Sequence, residues 1–328
     1  MSNYKIYAIG AALVDTEVEV SDSFLLDNTI DKGVMTLVDQ SRQTELISSL
    51  NRNGSKLLRQ SGGSACNSVV AAAQLGSKTY FGGKVANDDD GKLYADDLTE
   101  AGVSHCFSPE NQGVTGTCLV MVTADAERTM NTYLGVSDNF SHLEINQAAL
   151  VDSEWFYVEG YLQTDDRRTS VVKSAVEFAK QQGVKVCLSL SDPFVAQIFA
   201  DNLKSVIGDG IELIFCNKDE ALAFTGAADL SEAAESLKSY AKTFAITDGA
   251  KGATIFDGNS LLQVSGLKAK AIDTNGAGDM FAGAFLYAIT SGASYSKAAE
   301  LANKAAAMVV ERFGPRLEQA DFKLLKIN

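Results

Sequence analysis

The chain has 328 residues, 46% of them apolar, with 28 basic and 42 acidic side chains and a formal net charge of −14. That length can build one large α/β body or two smaller ones, and the acidic field repels nucleic acid and anionic membranes, so an anionic ligand must be held by local donors. No apolar run approaches the ~18 residues needed to span a bilayer, the N-terminal "MSNYKIYAIGAALVD" has no secretory pattern, and Cys66, Cys106, Cys118, Cys187 and Cys216 are scattered without C-x-x-C, as reduced thiols of a cytoplasmic protein would be.

In chain order, "YKIYAIGAALV" (4–14) reads as a buried strand, and "DTEVEVSD" (15–22) alternates as a half-exposed strand does. Residues 42–52 have helical spacing. "SACNSVVAAAQLG" (64–76) is a small-residue helix stopped at Gly76, 78–85 is a strand, and 88–102 is a helix opened by aspartates and closed at Gly102. Residues 113–134 read as two β segments joined by "TADAER", a hairpin set apart from the main body. From about 153, strands ("EWFYVEG", "VKVCLSL", "IELIFCN", "FAITDG", "GATIFDG") alternate with helices over 167–183, 194–207, 218–224 and 231–242. Such βαβα alternation predicts a doubly wound, mostly parallel sheet flanked by helices, with ligands beyond the carboxyl ends of its strands, where "SLSDPF", "CNKDE" and "ITDGAKG" fall.

"DTNGAGDMFAGAFLYAIT" (273–290) carries the strongest chemical signal. Apolar residues at Met280, Phe281, Ala284, Phe285, Ala288 and Ile289 repeat every 3.6 residues, so a helix begins near Gly276 to Gly278. Its first N–H groups lack intrahelical partners, and glycines let an anion approach them closely. Asp279 falls beside that anion site, where a carboxylate can take the proton of an attacking hydroxyl. The alternative is that Asp279 only complements the helix dipole and the glycines only permit close packing.

This segment resembles the second signature of the ribokinase-like (pfkB) family of carbohydrate and nucleoside kinases. "SGGSACNSVVAAAQLG" with "GGKVANDDDGKLYADDLTEAGV" (61–103) resembles the first signature, and "NKDE" (217–220) resembles the family's N-x-x-E. "ERTMNTYLG", "EGYL", "LSLSDPF" and "RFGPR" (312–316) are similar to segments of the adenosine kinase branch, especially its bacterial members.

The resemblance implies the ribokinase-like fold with a small β lid: residues 13–40 and 113–134 as the lid over the substrate, and 1–12, 41–112 and 135–328 as the nucleotide-binding and catalytic body. It implies ATP and Mg²⁺, with Asp279 as general base and the Gly276, Ala277 and Gly278 backbone as anion hole. Asp15, Gly62, Gly63 and Asn67 are expected at sugar hydroxyls; Asp15 otherwise ends a strand, and Ser64 would cap the following helix. Asn217 and Glu220, one helical turn apart, are expected near the nucleotide phosphates and Mg²⁺, or else as a helix cap and its capping-box partner. Arg128 matches a lid arginine that contacts the transferring phosphate, its alternative being a solvated turn. Asp273 and Thr274 match a K⁺ site, and Thr247, Gly249 and Asn303 match positions near ATP. Leu134 and Tyr161 would form an apolar wall around a base, or else pack in the lid or body core.

One departure bears on the acceptor. The first strand reads "GAALVD" where the family commonly has an asparagine after the glycine, so Ala11 removes an expected polar contact. The expected activity is phosphorylation of the 5′-hydroxyl of adenosine or a related nucleoside. The alternatives are a free sugar such as ribose or fructose as acceptor, and an inactive nucleoside-binding protein. A monomer or homodimer with a small-molecule substrate is expected.

Overall fold

A computed structural model describes residues 3–52 and 54–325; residues 1, 2, 53 and 326–328, which include the outer ends of the expected body, lie outside the described residues. The strands are β1 (Tyr4–Ile9), β2 (Leu13–Glu19), β3 (Met35–Leu37), β4 (Leu58–Gly62), β5 (Thr79–Gly82), β6 (Val103–His105), β7 (Gly116–Val122), β8 (Arg128–Tyr133), β9 (Ser153–Glu159), β10 (Lys185–Ser189), β11 (Ile211–Asn217), β12 (Ala241–Thr247), β13 (Gly252–Phe256) and β14 (Leu261–Ser265).

Nine of them form one sheet in the order β14-β13-β12-β11-β10-β9-β1-β5-β6. It is parallel from β12 to β6 and antiparallel only through β13 and β14. Successive residues feed opposite faces: Ile6 and Ala8 enter one core, Tyr7 and Ile9 the other. A sheet covered on both sides gives the near-continuous apolar strands that the sequence displays. On one face Gly283 of the helix Ala277–Thr290 lies against the helix Ser64–Gln74, where an added Cβ would strike the Ser68 carbonyl. That close approach brings the two glycine-led helix starts together.

The second sheet has the order β3-β8-β7-β2-β4. β7 and β8 pair antiparallel, as expected for 113–134, while β2 runs parallel to β7. One face is covered by the helix Gln40–Arg52, whose Leu46 and Leu50 pack with Val18, Leu119 and Met121. The other face presents Leu13, Cys118 and Val120 to a cavity. Residues 40–62 therefore add a helix and the edge strand β4 to the small sheet, beyond the 13–40 and 113–134 segments expected there.

The run 4–14 is not one strand. β1 ends at Ile9 and β2 starts at Leu13 in the other sheet, because Ala11 N–H donates to Glu159 Oε1 (3.1 Å) instead of continuing the ladder. The expected helix 194–207 divides at Phe199 into Pro193–Ile198 and Ala200–Ile207, and Asn202 then donates to the Gln163 carbonyl (2.9 Å). The Ala-rich helix Tyr295–Val309, the third of a packed group with 64–74 and 277–290, has a Ser294 cap that marks its start in the sequence.

Candidate active site

A cavity of about 670 Å³ runs between the two sheets and along the carboxyl ends of the large sheet's strands. Of the expected site residues, Asp15, Gly63, Asn67, Arg128, Leu134, Tyr161, Asn217, Glu220, Thr247, Gly249, Thr274, Gly276, Ala277, Gly278, Asp279 and Asn303 line it. Gly62 and Asp273 do not, and each supports it from behind.

At the centre, Gly276 holds φ +73°, and an added Cβ would sit 2.5 Å from Pro315, so the turn into the helix needs glycine. No side chain caps this helix. Gly278 has no atom within 4 Å of where a Cβ would be, leaving its backbone open to the cavity. Asp279 follows, half-buried. Its Oδ1 accepts from Ser64 Oγ (2.6 Å) and its Oδ2 from Asn67 Nδ2 (3.0 Å). Burial pushes its carboxyl above the ordinary value, opposed by those two hydrogen bonds and by Arg128 and Arg316. A carboxylate so held has a fixed rotation and lone pairs left toward the cavity.

Asp15 stands at the other side, 6% exposed. Burial pushes it up to about 7, against the pull of Arg316 and with the help of Asp279; no hydrogen bond from a described residue offsets the burial. A buried carboxyl without donors is unfavourable until something supplies them. Gly62 backs it, since a Cβ there would collide with the Asp15 carboxyl. The strand that carries it and its neighbours line the cavity with an apolar group of Leu13, Cys118, Val120, Met130 and Leu134, and Tyr161 also lines the cavity.

At the far end, Asn217 and Glu220 form a complete capping box: Asn217 Oδ1 accepts from Glu220 N–H (2.8 Å), and Glu220 accepts from Asn217 N–H (3.0 Å) and Nδ2 (2.7 Å). Burial raises the Glu220 carboxyl to about 7. The capping role is thus realised, and the pair still faces the cavity. Among the described residues no group of three or more His, Cys, Asp or Glu side chains forms a ready metal cage. Thr247 and Gly249 lie beside this end, while the Asn303 amide donates to the carbonyls of Val264 (3.1 Å) and Ser265 (3.2 Å), holding β14.

Arg128 is no solvated turn residue: it reaches across to Asn275 Oδ1 (3.3 Å), the residue just before Gly276. Asn275 Nδ2 donates to the fully buried Glu17 of β2 (2.6 Å), so the small sheet touches this loop at two points. Asp273 is fully buried, and its carboxylate accepts from the N–H of Asn275 (2.8 Å) and of Gly314 (3.0 Å); it holds the loop instead of facing the cavity. The Thr274 hydroxyl donates to the Ala126 carbonyl (3.4 Å).

Ser64 does not cap its helix, which starts after Gly63 without a side-chain cap; its hydroxyl is drawn to the Asp279 carboxylate. Sequence reasoning missed Glu159, which accepts from the N–H groups of Ala11 and Ala65 (2.8 Å) and ties together the segments carrying Asp15 and Asn67. It also missed the buried Arg316. The available signals were a carboxylate ending an apolar strand in "FYVEG" and the arginine of "RFGPR".

The family model for pfkB family carbohydrate kinases matches residues 30–321. The fold and sequence are similar to a probable sugar kinase from Rhizobium etli, with TM-score 0.92 and 31% identity over 99% of both chains. They are similar as well to the adenosine kinase of Sinorhizobium meliloti, with TM-score 0.89 and 32% identity over 96% of both chains. The adenosine kinase of Saccharomyces cerevisiae is 27% identical, over 94% of this chain and 96% of its own. No helix among the described residues is long and apolar enough to cross a membrane. The matched span, the two-sheet architecture and the uncapped glycine start ahead of Asp279 agree, and the chain belongs to the pfkB family of carbohydrate kinases, phosphotransferases with an alcohol group as acceptor.

Proposed function

We propose that this kinase transfers the γ-phosphoryl group of ATP to the 5′-hydroxyl of adenosine or a closely related nucleoside. The observation that carries the reading is the cavity's division into a hydroxyl-binding carboxyl, Asp15, beside an apolar wall built from β2, β7 and β8, with Asp279 facing it. A free sugar would leave that wall in contact with water, whereas a purine covers it. The similar adenosine kinases of known structure and sequence support the same acceptor. The probable sugar kinase from Rhizobium etli and Ala11 favour the second reading, a free sugar such as ribose or fructose.

In this account the carboxylate of Asp15 accepts from two ribose hydroxyls, and Gly63 N–H and the Asn67 amide complete the sugar's contacts. The 5′-hydroxyl then lies at Asp279. Asp279 takes its proton as the oxygen attacks the γ-phosphorus; the new O–P bond forms, the bond to the β-phosphate oxygen breaks, and ADP leaves with that electron pair. The backbone N–H groups of residues 276–278 receive the negative charge on the transferring group, and Arg128, held at Asn275, adds a positive charge from the small sheet. Glu220 has both oxygens on Asn217, so it fits an outer-sphere role: Mg²⁺, which keeps much of its water shell, would be held there through waters with the phosphates, neutralising their charge. No step is assigned to potassium. Contact between the small sheet and the 273–276 loop excludes water from the transfer.

The test is Asp279→Asn. Turnover falls by about 10²–10⁴-fold, the usual worth of a general base, while nucleoside affinity by calorimetry changes by no more than a few-fold. Near wild-type turnover would remove Asp279 from the role of base.

A further inference from the structure

Arg316 lies behind the site, its side chain 9% exposed, in a segment remote in sequence from everything it touches. Its Nε donates to Asn67 Oδ1 (3.0 Å). An amide has one accepting end and one donating end. With the oxygen turned to the guanidinium, the NH₂ group must face the opposite way, and there it donates to Asp279 Oδ2 (3.0 Å). Rotating the amide would break both bonds and set NH₂ against guanidinium and carbonyl against carboxylate.

The guanidinium cannot turn to accommodate such a rotation. Nη1 donates to Asp97 Oδ2 (2.9 Å), and Nη2 to Ser61 Oγ (2.9 Å) and the Ser61 carbonyl. Asp97 Oδ2 in turn accepts from Ser61 N–H (2.9 Å). Three directions of one planar fork are therefore satisfied at once, a geometry that a lysine ammonium cannot copy.

We propose that Arg316 is a positioning residue for phosphoryl transfer: by fixing which way the Asn67 amide faces, it fixes the rotation of the Asp279 carboxylate. It does not line the cavity. The inference rests on Asp279 being the base. Its charge also helps keep that carboxylate ionised, so its removal moves the acid limb of the pH profile upward.

The experiment compares Arg316→Lys and Arg316→Gln with Asn67→Ala, the double variant Arg316→Lys/Asn67→Ala, and Asp279→Asn, measuring kcat, KM for ATP and the pH dependence of kcat/KM. Arg316→Lys should lower kcat by roughly 10- to 100-fold, the scale of a displaced reacting group, with KM for ATP within about threefold. Arg316→Gln should in addition shift the acid limb to higher pH. In the Asn67→Ala background Arg316→Lys should add little, because the relay is already cut. Since losing Arg316 leaves Asp97 unpaired, Arg316→Met/Asp97→Asn is measured alongside as the variant that retains charge balance, and it should show the same fall in kcat. Wild-type kcat in Arg316→Lys, or losses that multiply in the double variant, would overturn the proposal while a slow Asp279→Asn keeps the base. A fast Asp279→Asn would overturn both.

Discussion

Two helix starts border the same cavity and are built in opposite ways. The helix Lys218–Thr225 begins at Asn217 with both members of a capping box bonded to each other's backbone, so its first donors are already taken. The helix Ala277–Thr290 begins at a left-handed glycine with no side-chain cap; the helix Ser64–Gln74 after Gly63 also lacks a cap, but the carboxylate of Glu159 already takes its Ala65 N–H (2.8 Å). Most other helices carry an Asp, Asn or Ser cap. A half-buried helix start without a cap leaves N–H groups that only a ligand or water can satisfy. The capped start keeps its first donors for itself, whereas the start at Gly276 leaves N–H groups beside the cavity, where the proposed reaction puts the transferred group.

Substitutions can break this contrast in order of expected size. Gly276→Ala puts a Cβ 2.5 Å from Pro315 at φ +73°, and should lower kcat by about 10²–10³-fold through the lost anion hole and lower the melting temperature as well. Gly278→Ala puts a Cβ where no other part of the protein comes within 4 Å, so any fall in turnover, from crowding the transferred group, should come with an unchanged melting temperature. If Gly278→Ala kept wild-type turnover, the open backbone at 278 would have no special role. Asp15→Asn should raise the nucleoside KM by roughly 10- to 100-fold, the worth of hydrogen bonds to a charged acceptor, with kcat less affected. Glu220→Gln, which keeps an acceptor at the capping-box position, should leave stability to denaturant nearly unchanged while raising the Mg²⁺ concentration needed for half-maximal turnover.

A smaller effect follows from Asp15 itself. Its carboxyl rises from 3.8 to about 7 in the folded protein, so between those values the folded state holds more protons than the unfolded chain. The stability this contributes is full at acid pH and is lost as pH rises through about 7. The ligand-free protein should therefore melt lower at about pH 8 than at about pH 5, and Asp15→Asn should flatten that slope. An unchanged slope in the variant would mean that Asp15 is not the buried acid described here.

The parallel core, the hairpin of β7 and β8 and the helix after Gly276 were legible because each depends on local pattern: apolar runs, a turn, a glycine ahead of a 3.6-residue repeat. β3, β4, β6 and β14 are short or polar and owe their strand state to neighbours distant in sequence. The break at Gly10–Ala12 was invisible for the same reason, being imposed by the carboxylate of Glu159. Asp279, Asp15, Gly63 and the glycines of 276–278, which line one cavity, were singled out through motif resemblance supported by chemistry. Arg316 and Ser64 act through partners 249 and 215 residues away, and no spacing rule reaches that far.

Identifying the phosphorylated product decides whether the acceptor is a nucleoside or a free sugar. The pure protein is incubated with ATP, Mg²⁺ and K⁺ against adenosine, inosine, guanosine, cytidine, ribose and fructose, and the phosphorylated compound is identified. The expected product is a nucleoside 5′-monophosphate, with adenosine the best acceptor and no product formed at comparable rate from either sugar. Phosphorylation of ribose or fructose with the nucleosides untouched would contradict it, and would mean that the apolar wall beside Asp15 is not a base-binding surface.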